Sequence, residues 1–460
     1  MTIRIVPKRT SRKDVTIVNF TEKEQCGIVQ GKNGSMAISI GMGKRKEITL
    51  RKLRVAFRKT ISLAKSNNLT RIAIPLQSLA FPHLNMNDVQ RGKMIVENCI
   101  LADYEFTKYK RPQGTHKGNV KEVVLVGTPS RELRQGISTG KTIANTVNAC
   151  RDLANTRAVD LTPVGLARAA HDAAQGLPVK VTVLGEKEMK HQAMNGILQV
   201  AKGSAEEPRL IIMEYRNGSE KKPIVLVGKG VTYDSGGLNI KTGDAFQDMM
   251  HLDMAGGAAV IHTIALAARL KIKKNVIGLI PAVENMPSGT SLKPGDIIKT
   301  MAGITVEVTN TDAEGRVILA DALTYAQHYQ PTLVVDIATL TSAAITALGQ
   351  KASVLFTRDA ALQALVQQLG EESGDYVWPL PLWEEYEQDI KSAHADLTAG
   401  RTKYGGACAA AAFLSHFTHK LPWIHIDIAP RMTAADGEYL AKGATGEPVR
   451  LLIKLLEHYE

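Results

Sequence analysis

The residues best suited to chemistry lie in two polar stretches, each of which follows an apolar, strand-like run. In the first stretch, the run that ends at Val227 leads directly into a glycine-rich loop that carries Lys229, Asp234 and Lys241. Ligands usually bind at strand ends in open α/β sheets, and glycines let the backbone approach a bound group closely. Because the spacing does not match the GxxxxGK[ST] pattern of a phosphate loop, these polar groups indicate another kind of ligand.

The second stretch follows the strand-like run from Ile304 to Val308 and carries charged residues at intervals of two, namely Asp312, Glu314 and Arg316. In an extended backbone all three side chains would point to one side. Two carboxylates and a guanidinium that converge make a poor hydrophobic core. They suit hard or borderline divalent cations, which carboxylate oxygens can chelate and bridge.

Two further acids, Asp248 and Asp253, lie between these stretches, just before a segment of small residues that is predicted to form a helix against the sheet. Taken singly, an aspartate in a glycine-rich loop is more often a turn former or helix cap than a ligand, and a lone lysine is more often a surface residue. Several acids and two lysines at strand ends, in a chain without HExxH, CxxC or GxSxG motifs, together favour a metal site.

The elements that must position these residues follow an α/β rhythm. The first 130 residues alternate short apolar runs with helix-like stretches such as Leu50 to Ser66, whose charged positions predict a basic outer face. A long helix is predicted from Gln135 to Leu153, and turn formers and a proline follow it. With 460 residues and 44% hydrophobic content, two domains are expected. We predict a basic N-terminal domain over 1–135, a linker helix and turn over 136–163, and a larger domain over 164–460.

Charge and cysteine content limit the classes of function that fit this chain. The net charge of +12 is uneven, because residues 1–150 hold 27 lysines and arginines against 10 aspartates and glutamates, which leaves 30 against 35 for the remainder. This asymmetry indicates either a surface for nucleic acid or a solvated lysine face, and the latter is the commoner. Four scattered cysteines favour a reducing compartment. No long uncharged apolar run and no signal-peptide pattern is visible, so a cytoplasmic protein without a membrane span is expected.

Both polar stretches resemble the signatures of the leucyl aminopeptidase family, which are cytosolic two-metal exopeptidases. The segment NTDAEGR, residues 310–316, matches the most diagnostic family motif letter for letter. The resemblance covers most of the chain and implies an α/β fold class, with a small macro-like N-terminal α/β domain joined by a helix to a larger catalytic domain whose mixed central sheet is flanked by helices. The other matching segments are NTRAVDLTP, GSAEEPRLIIMEY, VGKGVTYDSGGLNIK, DIATLT, WPLPLWEEY, YGGACAAAAFL and GATGEPVRLL.

The resemblance also implies a set of metal ligands. A tighter ion, zinc or manganese, would be held by Lys229, Asp234, Asp253 and Glu314. A more exchangeable ion, for which magnesium and cobalt are alternatives, would be held by Asp234, Glu314 and Asp312, the last also through its carbonyl. A lysine can ligate only when it is neutral, so the pKa of Lys229 is predicted to be depressed by burial and by the cations.

By the same resemblance, a metal-bridging hydroxide attacks the peptide bond, Lys241 stabilises the charge on the carbonyl oxygen, and Arg316 holds a bicarbonate ion that shuttles the proton. The implied substrates are short peptides with an N-terminal leucine or methionine, and the implied assembly is a homohexamer with active sites facing an interior cavity. The implied side-chain pocket consists of Met250, Thr339, Leu340, Ala429 and Met432.

Some positions depart from the family pattern, and they bear on substrate preference. The loop between Lys241 and Asp253 is one residue longer than usual, and the other departures are His251, Ser342, Pro430 and Arg431. The sequence also allows two alternative functions. The basic N-terminal domain could bind DNA as a second, regulatory role, as in some bacterial relatives. A catalytically inactive scaffold is disfavoured because every expected ligand is present.

Overall fold

The computed structural model describes residues 1–7, 15–30, 36–111, 119–242, 247–400, 402–418 and 421–459. Two compact units are present, the first formed by 1–148 with 434–442 and the second by 149–433 with 443–460. Each unit has its own buried apolar cluster. The predicted α/β class is confirmed, since a small N-terminal unit and a larger unit with a mixed sheet flanked by helices are both present.

The first unit is built on a six-stranded sheet that is parallel except for its last pair, in the order β1-β6-β5-β2-β4-β3. Its helices are α1 (Leu50–Ser66) and α2 (Asp88–Asp103). The next helix, α3 (Arg131–Asn155), contains the predicted long helix, and the boundary between the units falls inside it, after Asn148. The strands are β1 (Thr2–Val6), β2 (Thr16–Thr21), β3 (Gly27–Gln30), β4 (Met36–Gly41), β5 (Arg71–Pro75) and β6 (Glu122–Val126).

Helix α1 has the bounds that the sequence predicts, because the Thr49 side chain caps its first turn by accepting a hydrogen bond from the Lys52 amide. Its basic face is less exposed than predicted. Arg54 and Arg58 are both buried, and the Arg58 Nε donates to the Asn98 Oδ1 at 2.8 Å. The prediction of a wholly outward basic face is therefore wrong at these two positions.

The second unit is built on a nine-stranded mixed sheet, in the order β16-β15-β18-β14-β9-β11-β8-β7 with β10 paired to β11, and on a three-stranded sheet, β12-β13-β17. Its strands are β7 (Val179–Leu184), β8 (Arg209–Arg216), β9 (Ile224–Gly228), β10 (Gly230–Asp234), β11 (Asn275–Asn285), β12 (Asp296–Lys299), β13 (Thr305–Val308), β14 (Leu333–Ala338), β15 (Ser353–Phe356), β16 (Val377–Pro379), β17 (Leu397–Ala399) and β18 (Trp423–Asp427). Its helices are α4 (Pro163–Ala174), α5 (Glu186–His191), α6 (Asn195–Ala201), α7 (Ala255–Leu270), α8 (Glu314–Ala326), α9 (Ser342–Leu348), α10 (Ala360–Ser373), α11 (Gly406–Ser415) and α12 (Val449–His458).

The centre of the large sheet brings several strand ends together. Strand β9 pairs in parallel with β14 on one side and with β11 on the other. At Lys229 the chain leaves β9 and continues as β10 along the far half of β11. Parallel strands place their carboxyl ends at one edge, so the residues that follow β9 and β14 lie close together. The Lys229 amide donates to the Ile337 carbonyl at 3.0 Å, which joins these two ends.

Helix α7 packs closely on those strand ends because its first turn consists of small residues. A Cβ on Gly256 would lie 2.2 Å from the Ile337 carbonyl oxygen, and a Cβ on Gly228 would lie 2.6 Å from the Gly256 oxygen. Side chains at either position would force the helix away from the sheet. The close approach sets the position of Asp253, two residues before the helix begins.

One helical stretch among the described residues, 247–270, has the length and hydropathy of a membrane span. Of its apolar window, 94% is buried inside the protein. Such burial is typical of the core helix of a folded domain, and the stretch includes α7.

Candidate metal centre

Lys229 lies at the centre of the site, enclosed by carboxylates. Its Nζ is 2.7 Å from the Asp253 Oδ2 and 2.8 Å from the Glu314 Oε1, and it donates to the Thr339 carbonyl at 3.1 Å. Only 3% of its side chain is exposed, so a surface lysine is excluded. Asp253 is fixed in turn, because its Oδ1 accepts a hydrogen bond from the Thr339 hydroxyl at 2.7 Å.

Glu314 reaches Lys229 because it begins α8 and is followed by a glycine. A Cβ on Gly315 would lie 2.8 Å from the Lys229 Nζ. The absence of a side chain at Gly315 is therefore what leaves room for the lysine. Sequence reasoning missed this residue, although its position between Glu314 and Arg316 was a signal.

A second group of charges lies around Lys241. Its Nζ is 2.7 Å from the Asp234 Oδ2, and it also pairs with the Asp312 Oδ1. Asp234, Asp312 and Glu314 each present an oxygen, and the three oxygens lie within 4.8 Å of one another. The structure thus brings together six of the seven predicted metal and catalytic residues. The seventh is Arg316, which makes no direct contact with the other six among the described residues. Asp248, the other acid singled out in the sequence, is exposed.

The backbone that carries Asp312, Glu314 and Arg316 is not extended, which corrects the prediction. Residues Thr311–Ala313 form a 3-10 turn, and α8 begins at Glu314. The alternation of charges therefore does not place the three side chains on one side of a strand. The two carboxylates converge because they occupy a turn and the first position of a helix beside the loop that carries Asp234.

Burial and neighbouring charges shift the proton affinities of these groups. Burial, with the nearby Glu314, raises the pKa of Asp234 to about 6 despite the opposing lysines. Burial also raises the pKa of Asp253, against the effect of Lys229. For Glu314, burial favours a higher pKa, but the charges of Lys229 and Lys241 outweigh it and the pKa is lowered. Four carboxylates thus share two ammonium groups, and negative charge is in excess.

The pKa of Lys229 differs from the sequence prediction. Burial acts to lower the pKa of this amine, as predicted, but the charges of Asp253, Glu314 and Asp234 outweigh burial and raise it. Lys229 and the surrounding carboxylates therefore form a buried ion network. A cation that binds the amine must displace a proton from it.

The donor set fits divalent cations. Glu314 Oε2 is buried and has no hydrogen-bond partner among the described residues, although a buried carboxylate oxygen normally has one. Carboxylate oxygens with one nitrogen donor are suitable ligands for zinc or manganese. A bound cation would supply the missing partner of Glu314 and would balance the excess negative charge.

Arg316 is a buried guanidinium in the first turn of α8. Its Nε has no hydrogen-bond partner within the described part of the chain. Burial lowers the pKa of Arg316 to about 10, even though Glu314 and Asp427 oppose the shift. The group remains positively charged at neutral pH and presents an unused donor, as an anion-binding residue would.

Two residues of the predicted side-chain pocket lie beside Asp427, which the sequence analysis did not single out. Its Oδ1 accepts hydrogen bonds from the amides of Leu340 at 3.0 Å and Ala429 at 3.1 Å, so these two predicted pocket residues lie at one carboxylate. Met250 and Met432 are both buried. Part of the predicted insertion after Lys241, residues 243–246, lies outside the described residues.

Two positions that depart from the family pattern have structural partners. Arg431 forms a buried ion pair with Glu447 at 2.7 Å. His251 is contacted by the Arg157 Nη1, which lies 2.9 and 2.8 Å from its two ring nitrogens. Burial, together with the charge of Arg157, lowers the pKa of His251 to about 4. The imidazole is therefore neutral at pH 7.

Comparisons with known proteins agree with this geometry. The model of the cytosol aminopeptidase family catalytic domain matches residues 148–453, and that of the family N-terminal domain matches residues 31–113. A probable cytosol aminopeptidase of Geobacter sulfurreducens is 42% identical over 425 residues, which cover 91% of this chain and 84% of that protein. One from Roseiflexus castenholzii is 40% identical over 430 residues, covering 91% and 86%.

Among solved structures, the bottromycin maturation enzyme BotP in complex with Mn aligns with a TM-score of 0.86 at 31% identity, over 96% of this chain and 98% of that one. A second structure of BotP aligns with a TM-score of 0.85. The family predicted from the sequence motifs is thus confirmed. With both family domains present and the metal ligand types in place, the chain belongs to the cytosol aminopeptidase family and is a metal-dependent exopeptidase.

Proposed function

We propose that this enzyme releases N-terminal residues, with leucine or methionine preferred, from short peptides by means of two divalent ions. The supporting observation is the cluster of Asp234, Asp312 and Glu314 oxygens within 4.8 Å of one another, beside a lysine that is buried among carboxylates. Zinc or manganese is the proposed ion, with magnesium or cobalt as alternatives at the more exchangeable position. BotP, a relative, was solved with Mn.

The ligands divide between two positions in this proposal. Lys229, Asp253, Asp234 and Glu314 hold the tighter ion. Asp234, Glu314 and Asp312 hold the more exchangeable one, so Asp234 and Glu314 contribute to both. The buried ion network around Lys229 supports the ligand set of the tighter ion. Asp312 is partly exposed, which supports exchange of the second ion with solvent.

Divalent cations held by these ligands would supply Lewis-acid chemistry, which lowers the pKa of a bound water and polarises a carbonyl oxygen. The chain supplies the remaining charges. Lys241 contacts Asp234 and Asp312, so its ammonium is placed beside the ligands and can stabilise negative charge on the carbonyl oxygen. Arg316 cannot act as a base at neutral pH, and its unpartnered Nε suits a bicarbonate ion that carries the proton.

Substrate preference is assigned to the pocket of Met250, Thr339, Leu340, Ala429 and Met432. Methionine side chains are adaptable and suit unbranched or γ-branched apolar residues. The Thr339 hydroxyl donates to Asp253, and the Thr339 carbonyl accepts from Lys229. These hydrogen bonds connect one proposed pocket residue directly to two proposed metal ligands. A panel of X-Gly dipeptides would show preference for leucine and methionine over charged residues at the first position.

The experiment that tests the proposal compares Asp312→Ala and Lys241→Ala on a leucyl chromogenic substrate, with metal content measured on each purified protein. We expect Lys241→Ala to retain both ions and to lose about 10²- to 10³-fold in kcat, as removal of an oxyanion donor does. Asp312→Ala should lose one ion together with most activity. Lys351→Ala, which removes an exposed lysine of the same unit, is the matched control. Near wild-type turnover in either active-site variant would refute the mechanism.

For assembly and location we propose a homohexamer in the cytoplasm. Relatives named cytosol aminopeptidases support the location. Exposed aromatic residues of the second unit, Trp378, Trp383 and Tyr404, are consistent with surfaces that are covered in an oligomer. Sedimentation equilibrium would give about six times the chain mass of 49.9 kDa if the proposal holds; a monomer would exclude it.

DNA binding by the basic N-terminal unit stays a prediction. Its support is the excess of 27 basic over 10 acidic residues in 1–150. The burial of Arg54 and Arg58 removes two of these charges from the surface, which weakens the case. Filter binding at rising salt decides the question, because phosphate contacts lose affinity as counterions compete.

A further inference from the structure

Asn285 is an uncharged residue that is neither a proposed metal ligand nor a proposed pocket residue. It is the last residue of β11 and lies opposite Asp234, the last residue of β10, in the parallel register of these strands. Its side chain is almost fully buried. A buried amide must direct its donors to partners, so the identity of those partners defines its role.

The Asn285 amide group joins two segments that carry ligands. Its Nδ2 donates to the Asp234 Oδ1 at 2.8 Å and to the Thr311 carbonyl at 3.0 Å. Thr311 opens the 3-10 turn that holds Asp312 and leads into Glu314. One side chain thus contacts a ligand carboxylate on one loop and the backbone of the turn that presents two other carboxylates.

The orientation of the Asp234 carboxylate follows from these contacts. Its Oδ1 accepts from the Asn285 amide and from the Gly236 amide at 2.9 Å, which leaves the Oδ2 to face Lys241 at 2.7 Å. A carboxylate fixed on one oxygen by two donors cannot rotate freely. The Thr311 hydroxyl also joins the segments by donating to the Gly236 carbonyl at 2.7 Å, but this hydrogen bond does not involve a ligand oxygen.

The packing around this amide is close, and a side chain at the neighbouring Gly237 would collide with it. A Cβ on Gly237, which has a φ of +63°, would lie 2.8 Å from the Asn285 Oδ1 and 3.0 Å from the Thr311 Oγ1. The Asn285 carbonyl also accepts from the Ser235 amide at 3.0 Å and the Ser235 hydroxyl at 2.7 Å. Backbone and side chain of Asn285 together hold the loop that begins at Asp234.

We propose that Asn285 is a positioning residue that sets the orientation of the Asp234 carboxylate relative to the Thr311–Ala313 turn, and thereby the affinity of the site for its second divalent cation. This inference rests on the proposed two-ion function. Residues that orient metal ligands typically change affinity by about 10- to 100-fold when they are removed. An alanine at this position would leave the Asp234 oxygen and the Thr311 carbonyl without these donors.

The test is a calorimetric titration of chelator-treated, metal-free protein with Mn²⁺. We expect wild type to bind two ions per chain and Asn285→Ala to bind the weaker ion about 10- to 100-fold less tightly. Because affinity and not the chemical step is altered, excess Mn²⁺ should restore the kcat of Asn285→Ala. Asn285→Leu, which keeps the side-chain volume but has no donors, repeats the measurement if the alanine variant does not fold.

The matched control is Ser291→Ala, on the segment that follows β11. The buried Ser291 hydroxyl donates to the Met286 carbonyl at 2.7 Å and accepts from the Ser288 amide at 2.6 Å, so its removal also deletes two buried hydrogen bonds. It should bind Mn²⁺ as wild type does. Wild-type affinity for both ions in both Asn285 variants, or an equal loss in Ser291→Ala, would overturn the inference. Fewer than two ions in wild type would instead refute the proposed function.

Discussion

At the scale of single residues, Lys229 carries the most unusual chemistry of the site. An amine can bind a cation only through its lone pair, yet Asp253 and Glu314 lie 2.7 and 2.8 Å from this nitrogen and stabilise its protonated form. Lys229 and Lys241 both contact carboxylates of the site and balance part of their charge. Binding of a cation by Lys229, as proposed above, is therefore an exchange of the amine proton for the cation.

This exchange predicts the pH dependence of metal binding. Burial raises the pKa of Asp234 to about 6, and the surrounding carboxylates outweigh burial to raise the pKa of Lys229, so the metal-free protein holds more protons than the loaded protein. Raising the pH therefore favours loading. We expect the apparent Mn²⁺ affinity of the tighter position to rise about tenfold per pH unit between pH 7 and 8, from the Lys229 proton, and more steeply below pH 6.

Calorimetry in two buffers of different ionisation enthalpy would count the protons released. The control is Lys229→Met, which removes the titrating amine and should flatten the dependence above pH 7 while also weakening binding. Affinity that does not change with pH in wild type would contradict the assignment of Lys229 as a ligand.

At the scale of elements, the site depends on how closely helix starts approach strand ends. Gly228 and Gly256 let α7 contact the ends of β9 and β14, and Gly315 leaves room for Lys229 in the first turn of α8. These glycines sit at contacts where backbone or a ligand side chain occupies the place of a Cβ. The geometry of the ligands is thus set by the absence of side chains as much as by the charged residues.

Gly315→Ala tests this relation. Alanine favours a helix by about 1 kcal/mol over glycine, so the substitution is expected to leave α8 formed. Its Cβ would, however, lie 2.8 Å from the Lys229 Nζ and must displace that amine. We expect metal content and kcat to fall by at least about tenfold, in line with the loss of a residue that orients a ligand, while the free energy of unfolding of the metal-free protein changes little.

Gly165→Ala is the matched control, because Gly165 also lies in the first turn of a helix of the second unit, α4, and its Cβ would meet other atoms no closer than 3.6 Å. It should keep full metal content and activity. Full activity in Gly315→Ala would show that Lys229 does not need its observed position.

Elements were predictable where local sequence determines them. The bounds of α1 follow from the apolar spacing and the Thr49 cap, and both ends agree with the structure. Strand β11 runs through Pro281 to Asn285, because pairing with β8 and β10 outweighs the local effect of this proline. Asn285 could not be found from its own segment, since an uncharged residue gains its role from Asp234 and Thr311, which lie far from it in sequence.

At the scale of the whole molecule, the excess of basic charge belongs to the first unit and the candidate metal site belongs to the second. Residues 1–150 carry the basic excess, and the remaining residues are net acidic. Among the described residues, the one group of three acids that could hold a metal ion lies in the second unit. Of the proposed ligands, Lys229 follows β9, Asp234 ends β10 and Glu314 begins α8. Bound ions would therefore join elements that are separate in sequence. Metal binding should therefore be linked to the stability of the second unit in particular.

This linkage predicts the thermal behaviour of the protein. Ions that bind the folded state alone stabilise it by RT ln(1 + [L]/Kd), which is about 2.7 kcal/mol at 100 times Kd. We expect a chelator to lower the Tm by a few degrees and added Mn²⁺ to raise it with the logarithm of its concentration. If calorimetry resolves two transitions, the one assigned to the second unit should shift. Asp234→Asn, which removes a shared ligand charge, should lose most of this dependence, whereas Lys351→Ala should keep it. An equal chelator effect in Asp234→Asn and wild type would mean that the stabilising ions bind elsewhere.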